Sequence, residues 1–400
     1  MLAFETSSQP NFSDEVQAFL SEHLTADLRR AGRETVGTHS AIDACRIWHQ
    51  RLWEQGWIAP AWPIEHGGAG WASEKQIIFE RECAKTDAPI LFAGGLRNVG
   101  PLLIEMGTPQ QREKYLPKIL SGEDLWCQGF SETGAGSDLA AMQMRAVLDD
   151  EDYVLNGCKV WTTGAHLSNR MFCLVRTGKG GKPQQGISFL LVDMDAQGIS
   201  VEPILMMNGE HEFNQVRFEE VRVPKDNLVG AENDGWTAAK VLMRHARASN
   251  TTSGHLHRAM RALHRLTKEM HGGVERDLKR GVHLLEMELA AFDVLEARCR
   301  KVLQRSNDER QERATASFLK TIATELHQKV TEVSIQIAGP YAAVGSFDVS
   351  RNDGAMTAGA LATSRYLSQR AASIYSGTNE IHRNQLSRHI EQGNALIGRS

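Results

Sequence analysis

The chain has 400 residues, 41% hydrophobic and 24% charged, with a formal net charge of −4. That length supports two or three domains with ample core, and the composition is that of an ordinary soluble protein. The slight negative charge supplies no basic field for nucleic acid or an anionic membrane surface, and no apolar run nears the ~20 residues that span a bilayer.

The 15 histidines are scattered without metal-ligand spacing such as His-Glu-x-x-His, so no metal site is expected. Cys45, Cys83, Cys127, Cys158, Cys173 and Cys299 are dispersed and form no Cys-x-x-Cys. With no basic-then-apolar signal pattern at the start, the expectation is a cytoplasmic protein with reduced, mostly buried thiols.

Residues 1–122 read as a helical domain. Ser13 is placed to cap a first helix, with Asp14 and Glu15 in the turn where acid groups complement the dipole. Val16, Phe19, Leu20 and Leu24 recur on one face behind it. A second helix carries Ile47, Trp48, Leu52 and Trp53 and stops at Gly56. Ser73-x-x-Gln76 predicts a capping box, and Thr108-Pro109-x-Gln111 another with proline at the first helical position. Between them lies the glycine-rich loop Pro63-Ile64-Glu65-His66-Gly67-Gly68.

Residues 123–235 change to a strand period. Short β-rich runs at 146–148, 153–155, 172–175, 187–192 and 216–218 are separated by turn residues such as Asp149-Asp150 and Asn156-Gly157. Residues 236–400 return to helical spacing, with helices expected near 236–270, 274–305, 309–338, 356–375 and 379–391. The sequence therefore predicts an α+β multidomain fold: an N-terminal helical domain, a small middle β domain and a C-terminal helical bundle.

Three stretches carry chemistry. Leu125–Asp138 holds three glycines among hydroxyl-bearing and small residues, a loop whose backbone N–H groups can approach an anion such as a pyrophosphate. Asn156–Ala165 places Trp161 before Thr162 and Thr163. Ile374–Arg383 reads Ile-Tyr-Ser-Gly-Thr-Asn-Glu-Ile-His-Arg. The plainer readings of the first two are a turn and a hairpin tryptophan beside two β-formers.

In this order and at these separations, the three stretches resemble the acyl-CoA dehydrogenase family of flavoproteins. The glycine-rich loop at Pro63 is similar to the family's early Pro-Glu-x-x-Gly-Gly. The resemblance implies FAD as cofactor, an acyl-CoA substrate, an electron acceptor such as an electron-transfer flavoprotein, and a homo- or hetero-dimer or tetramer. It implies Gln128, Phe130 and Ser131 beside the isoalloxazine, Gly136 and Ser137 near the pyrophosphate and pantetheine, and Trp161, Thr162 and Thr163 against the ring. Thr378 and Glu380 match adenine-side positions. The family's Arg-x-x-Phe-Gly stretch is absent at Met270–Arg276, and its later Gln-x-x-Gly-Gly survives in part as Gln336 and Gly339.

The family removes an α-proton with a glutamate. At the commoner position this chain has Ser376, and at the alternative, before an arginine that looks like Arg247, it has Ala246. Neither is a base for an α-proton, and a guanidinium stays charged. His245 is one residue away, about 100° round the helix. The expected catalytic neighbourhood is thus His245, Arg247 and Ser376. The subgroup most similar acts on bulky or dicarboxylic acyl-CoAs, of the pimeloyl or steroid side-chain type, partly as mixed α2β2 assemblies. The expected function is α,β-desaturation of an acyl-CoA thioester. The alternatives are a base-less partner subunit, or a flavin monooxygenase on the same fold.

Overall fold

The computed structural model describes residues 11–250, 252–270, 273–305, 308–343 and 354–392. The first domain holds helices α1 (Phe12–His23), α2 (Ala26–Glu34), α3 (Ile42–Glu54) and α4 (Ser73–Lys85). A π-helical turn, Gly94–Val99, then runs into α5 (Gly100–Met106), and α6 (Pro109–Ser121) follows.

The cap signals behave unequally. At α6 the box forms fully: Thr108 Oγ1 accepts from Gln111 N at 3.1 Å, and Gln111 Oε1 accepts from Thr108 N at 3.1 Å. At α1 the capping residue is Asn11, whose carbonyl accepts from Asp14 N at 2.7 Å, so Ser13 falls inside the first turn. At α4 Ser73 is already helical behind Ala72, and Gln76 turns back to donate to Trp71 O at 2.7 Å. A Ser-x-x-Gln spacing thus does not make a box when the helix begins on the serine itself.

The middle domain is a seven-stranded sheet: β1 (Trp126–Gly129), β2 (Arg145–Asp149), β3 (Asp152–Lys159), β4 (Arg170–Arg176), β5 (Ile187–Asp193), β6 (Ile199–Leu205) and β7 (His211–Pro224). The path runs β1-β4-β2-β3-β7-β6, with β5 also paired to β4. The sequence runs missed β1 and β6. β6 carries Pro203 and pairs only with β7, the edge position where a residue lacking an N–H fits.

Strand period decides how the domains meet. On β4, Phe172 and Leu174 face the helical domain, while Met171, Cys173 and Val175 fill the core on the sheet's other side. On β5, Phe189 and Leu191 take the first side and Leu190 and Val192 the second.

The C-terminal part begins with a correction. The single helix expected over 236–270 is two, α7 (Gly235–Asn250) and α8 (Ser253–Glu269). The sequence at the break, Ser249-Asn250-Thr251-Thr252, is made of residue types that favour caps and turns over helix interiors. Thr252 is extended, and buried Ser253 N donates to Glu296 Oε2 at 3.2 Å. Then come α9 (Arg276–Arg305), α10 (Glu309–Ala338), α11 (Gly354–Gln369) and α12 (Asn379–Glu391). The helix expected to reach 375 ends at Gln369 and tightens into a 3-10 turn, Arg370–Ser373. α7 contributes Ala238, Ala239 and Leu242 to the core under the helical domain, whereas α8 to α11 share a separate core around Leu263, Phe292 and Leu326.

Candidate functional site

A cavity of about 1860 Å³ opens where the three parts meet. β1 and the loop after it deliver Gln128, Phe130, Ser131, Gly136 and Ser137 to its wall. The turn after β3 delivers Trp161 and Thr163, and the segment before α12 delivers Tyr375 and Ser376. The two sheet loops are stitched together, since Ser131 O accepts from Val160 N at 2.9 Å and Phe130 O accepts from Lys159 Nζ at 3.1 Å. Phe130 is anchored edge-on to Phe172 and Phe189, with centroids 5.8 and 6.1 Å away.

Trp161 has φ +58° and is 61% exposed, an uncommon conformation for a bulky residue. Its ring stands edge-on to Phe213 at 6.2 Å and otherwise faces the open space. Thr162 points away from the cavity, the left-handed turn at Trp161 directing its side chain inward. It is fully buried, its hydroxyl has no hydrogen-bond partner, and its N–H donates to Asn214 O at 3.0 Å. Thr163 therefore lines the cavity and Thr162 does not. Behind them His166 and His211 stack at 3.9 Å, and burial and His211 hold the His166 imidazole below its usual range.

Four further expected residues stay outside the cavity lining of this chain. Thr378 caps α12, accepting from Ile381 N at 3.2 Å. Glu380 is exposed, and its own backbone N–H with Thr378 holds its carboxyl below the usual range. Gln336 and Gly339 sit exposed at the end of α10.

Ser376 adopts φ +55°. Two buried side chains hold that strained segment: His382 Nε2 donates to Ser376 O at 3.1 Å, and Lys320 Nζ donates to Gly377 O at 2.8 Å. Sequence reasoning missed both, although His382 sits inside the third motif. Nearby, burial and the charge of Glu212 push the Tyr375 hydroxyl up to about 12. Glu212 also lines the cavity, and its Oε1 accepts from Thr38 N at 2.7 Å and from the Thr38 hydroxyl.

Of the expected proton-transfer neighbourhood His245, Arg247 and Ser376, the described side chains are those of His245 and Ser376. His245 Nε2 lies 3.2 Å from Glu105 Oε2 on α5, which also pairs with Arg244. Burial pushes the His245 imidazole below its usual range, and His245 does not line the cavity; Arg244, one residue back, does. The Ala246 and Arg247 side chains lie outside the described residues.

A helical layer, a two-faced sheet and a helical bundle around one aromatic and polar cavity make a three-domain fold with its candidate site at the junction. Models of the acyl-CoA dehydrogenase N-terminal, middle and C-terminal domains match residues 6–123, 127–221 and 233–391. The chain belongs to the acyl-CoA dehydrogenase family, whose members are FAD-dependent oxidoreductases. It is 32% identical over 403 aligned residues to acyl-CoA dehydrogenase IpdE1 of Mycolicibacterium smegmatis, covering 95% of this chain and 96% of that one. To IpdE1 of Mycobacterium tuberculosis it is 41% identical over 247 residues, 60% of this chain and 63% of that protein. The solved ChsE4-ChsE5 complex from Mycobacterium tuberculosis superposes with a TM-score of 0.79 at 26% identity, over 99% of each chain.

Proposed function

We propose that the chain binds FAD and takes part in α,β-desaturation of an acyl-CoA thioester, with the α-proton base supplied from outside Ser376 and Ala246. One observation carries this reading: the loop Gln128–Ser137 and the Trp161–Thr163 turn converge on one cavity wall, and Tyr375–Ser376 joins them there. The donor set suits a planar heterocycle with polar edges. Gln128, Ser131 and Thr163 offer hydrogen-bonding side chains, and the face of Trp161 is free to stack. Gly136 leaves open space where a Cβ would stand, room for a backbone-cradled anion.

When bound, FAD supplies the acceptor for the hydride leaving the substrate β-carbon. The protein's own groups orient and exclude water. Lys320 and His382 fix the Ser376–Gly377 backbone at the cavity wall. A serine hydroxyl removes an α-proton only with a neighbour that takes its own proton, and His382 Nε2 is engaged by the Ser376 carbonyl instead. His245 is turned to Glu105.

That deficit favours a specific second reading: the chain is the base-less half of a mixed assembly whose partner carries the glutamate. The exposed Gln336 and Gly339 support it, as does similarity to one component of a solved two-chain complex. Either form would pass its electrons to an external carrier such as an electron-transfer flavoprotein.

The test is the visible spectrum of the purified protein before and after anaerobic addition of acyl-CoAs. Bound flavin that bleaches supports a self-sufficient dehydrogenase. Flavin that binds and bleaches only after co-purification with a glutamate-bearing homologue supports the mixed assembly. Bound flavin that no acyl-CoA reduces in either form overturns the desaturation reading.

A further inference from the structure

Among the described residues five carboxylates line the cavity: Glu34, Glu212, Glu269, Glu309 and Glu312. Four stand at helix ends, where Glu34 closes α2, Glu269 closes α8, and Glu309 and Glu312 open α10. Glu309 is paired with Arg313 at 2.8 Å, and Arg33 and Arg265 line the same cavity. Glu212 comes from the sheet instead, on β7. Its carbonyl accepts from Gly164 N at 2.8 Å, one residue past the Trp161–Thr163 turn, and the next residue, Phe213, meets the Trp161 ring. On the other side the charge of Glu212 reaches the Tyr375 hydroxyl, one residue from Ser376. The carboxylate thus stands between the turn proposed to hold the flavin and the position where the family's glutamate is missing.

A bulge aims it there. Ile204 pairs with Phe213 and Leu205 with His211, so Glu212 has no opposite residue on β6. An extra residue of this kind bends its strand and redirects a side chain. The side chain reaches the loop between α2 and α3, where Oε1 accepts from Thr38 N at 2.7 Å and from the Thr38 hydroxyl. Gly37 leaves it room, since a Cβ there would come within 2.4 Å of Oε2. Both bonds fall on Oε1. Among the described residues Oε2 has no hydrogen-bond partner and Glu212 forms no ion pair. A carboxylate held by neutral donors through one oxygen keeps the other free to accept a proton.

The cavity histidines compete less well. Burial and then the neighbouring arginines press His255 down to about 3 and His327 to about 4, which makes them weak bases. His39 comes from the same loop as Thr38, but its Nδ1 is turned to Ser40 O at 2.8 Å and its ring to Phe92.

We propose that Glu212 is the base that takes the α-proton of the acyl thioester. The α C–H bond breaks and its proton bonds to a Glu212 oxygen. The electron pair left behind becomes the α,β double bond as a hydride leaves the β-carbon for the oxidised flavin. The thioester loses two electrons, the flavin gains them, and the Glu212 proton passes to water when product leaves. This rests on the desaturation reading above and gives it a base within this chain.

The test is stopped-flow reduction of the flavin-loaded protein, in the assembly in which it purifies, by butanoyl-, octanoyl- and cyclohexylacetyl-CoA. The fastest is carried forward, with calorimetry for its affinity and NMR in D2O for exchange of its α-protons. Glu212→Gln keeps the Thr38 bonds through its own Oε1, so flavin content and acyl-CoA affinity stay within about twofold. Reduction slows about 10³-fold and α-proton exchange is lost. Adding Ser376→Glu brings both back, which it would not do for a purely structural defect. His39→Gln changes the rate less than about threefold. A Glu212→Gln protein reduced at the wild-type rate overturns the proposal, leaves desaturation standing and moves the base to a partner chain. A slow Glu212→Gln protein that Ser376→Glu does not restore makes Glu212 a tether for the Thr38 loop and also overturns it. Wild-type flavin that none of the three acyl-CoAs reduces overturns both readings.

Discussion

Lys159 Nζ lies 2.8 Å from Glu132 Oε1, with the lysine side chain fully buried and the glutamate 12% exposed. Glu132 also accepts from Gln143 N at 2.7 Å and Met144 N at 3.0 Å, and Lys159 donates to Phe130 O at 3.1 Å. The last residue of β3 thus holds both ends of the loop that carries Ser131, Gly136 and Ser137. Lys159→Met leaves a desolvated carboxylate and costs about 3–5 kcal/mol. Urea unfolding reads that loss, and the flavin-to-protein absorbance ratio falls with it. Adding Glu132→Gln recovers much of the stability, because an unpaired charge costs more than an absent pair.

On the proposed desaturation reading, Ser376 takes the place where a base would face the substrate. Ser376→Glu restores a carboxylate there and raises the single-turnover rate of flavin reduction by acyl-CoA by on the order of 10²-fold. Stopped-flow absorbance measures it, against a cost of about 1 kcal/mol for a non-glycine residue at φ +55° that serine already bears. His245→Gln, by contrast, changes that rate less than about threefold, because the imidazole is committed to Glu105.

Trp161 combines positive φ with an open ring face. Trp161→Gly removes the ring and relieves about 1 kcal/mol of backbone strain together. Apo-protein stability therefore holds or rises slightly, while flavin retention on gel filtration drops. A parallel fall in both would mean the ring packs as core rather than against a ligand.

The two depressed histidines set an acid limit. Folded His255 and His327 have values near 3 and 4 against 6.5 in the unfolded chain, so below about 6.5 the unfolded state binds protons that the folded state refuses. Stability is therefore full above that value and falls as pH drops toward 4, each histidine contributing up to about 1.4 kcal/mol per pH unit. Urea midpoints measured from pH 7 to pH 4 show the decline, and the double variant His255→Gln, His327→Gln flattens it.

Local signals were legible where the chain alone decides the outcome. The box at Thr108, the boundaries of α12 and the alternation of β4 follow from neighbours in sequence. The facing of Thr162 was not legible, because a pair of threonines does not say which one the sheet turns inward. His245 needed Glu105, which is 140 positions away. The meeting of two arginines was least visible. Nothing in the sequence pairs Arg258 with Arg365, and the fold brings both to the cavity beside the end of α2.

The interruption between α7 and α8 does more than bend a helix. The apolar side chains of α7 join the core of the helical layer and the inner face of β4 and β5, whereas those of α8 join the core of α9, α10 and α11, with α8 also lying against α4. β4 and β5 in turn give their other faces to the sheet's own interior, tying it to the helical layer. The hydrophobic core that the chain joins therefore changes between Asn250 and Ser253. The cavity lies across that change of core, so a ligand filling it braces both cores at once.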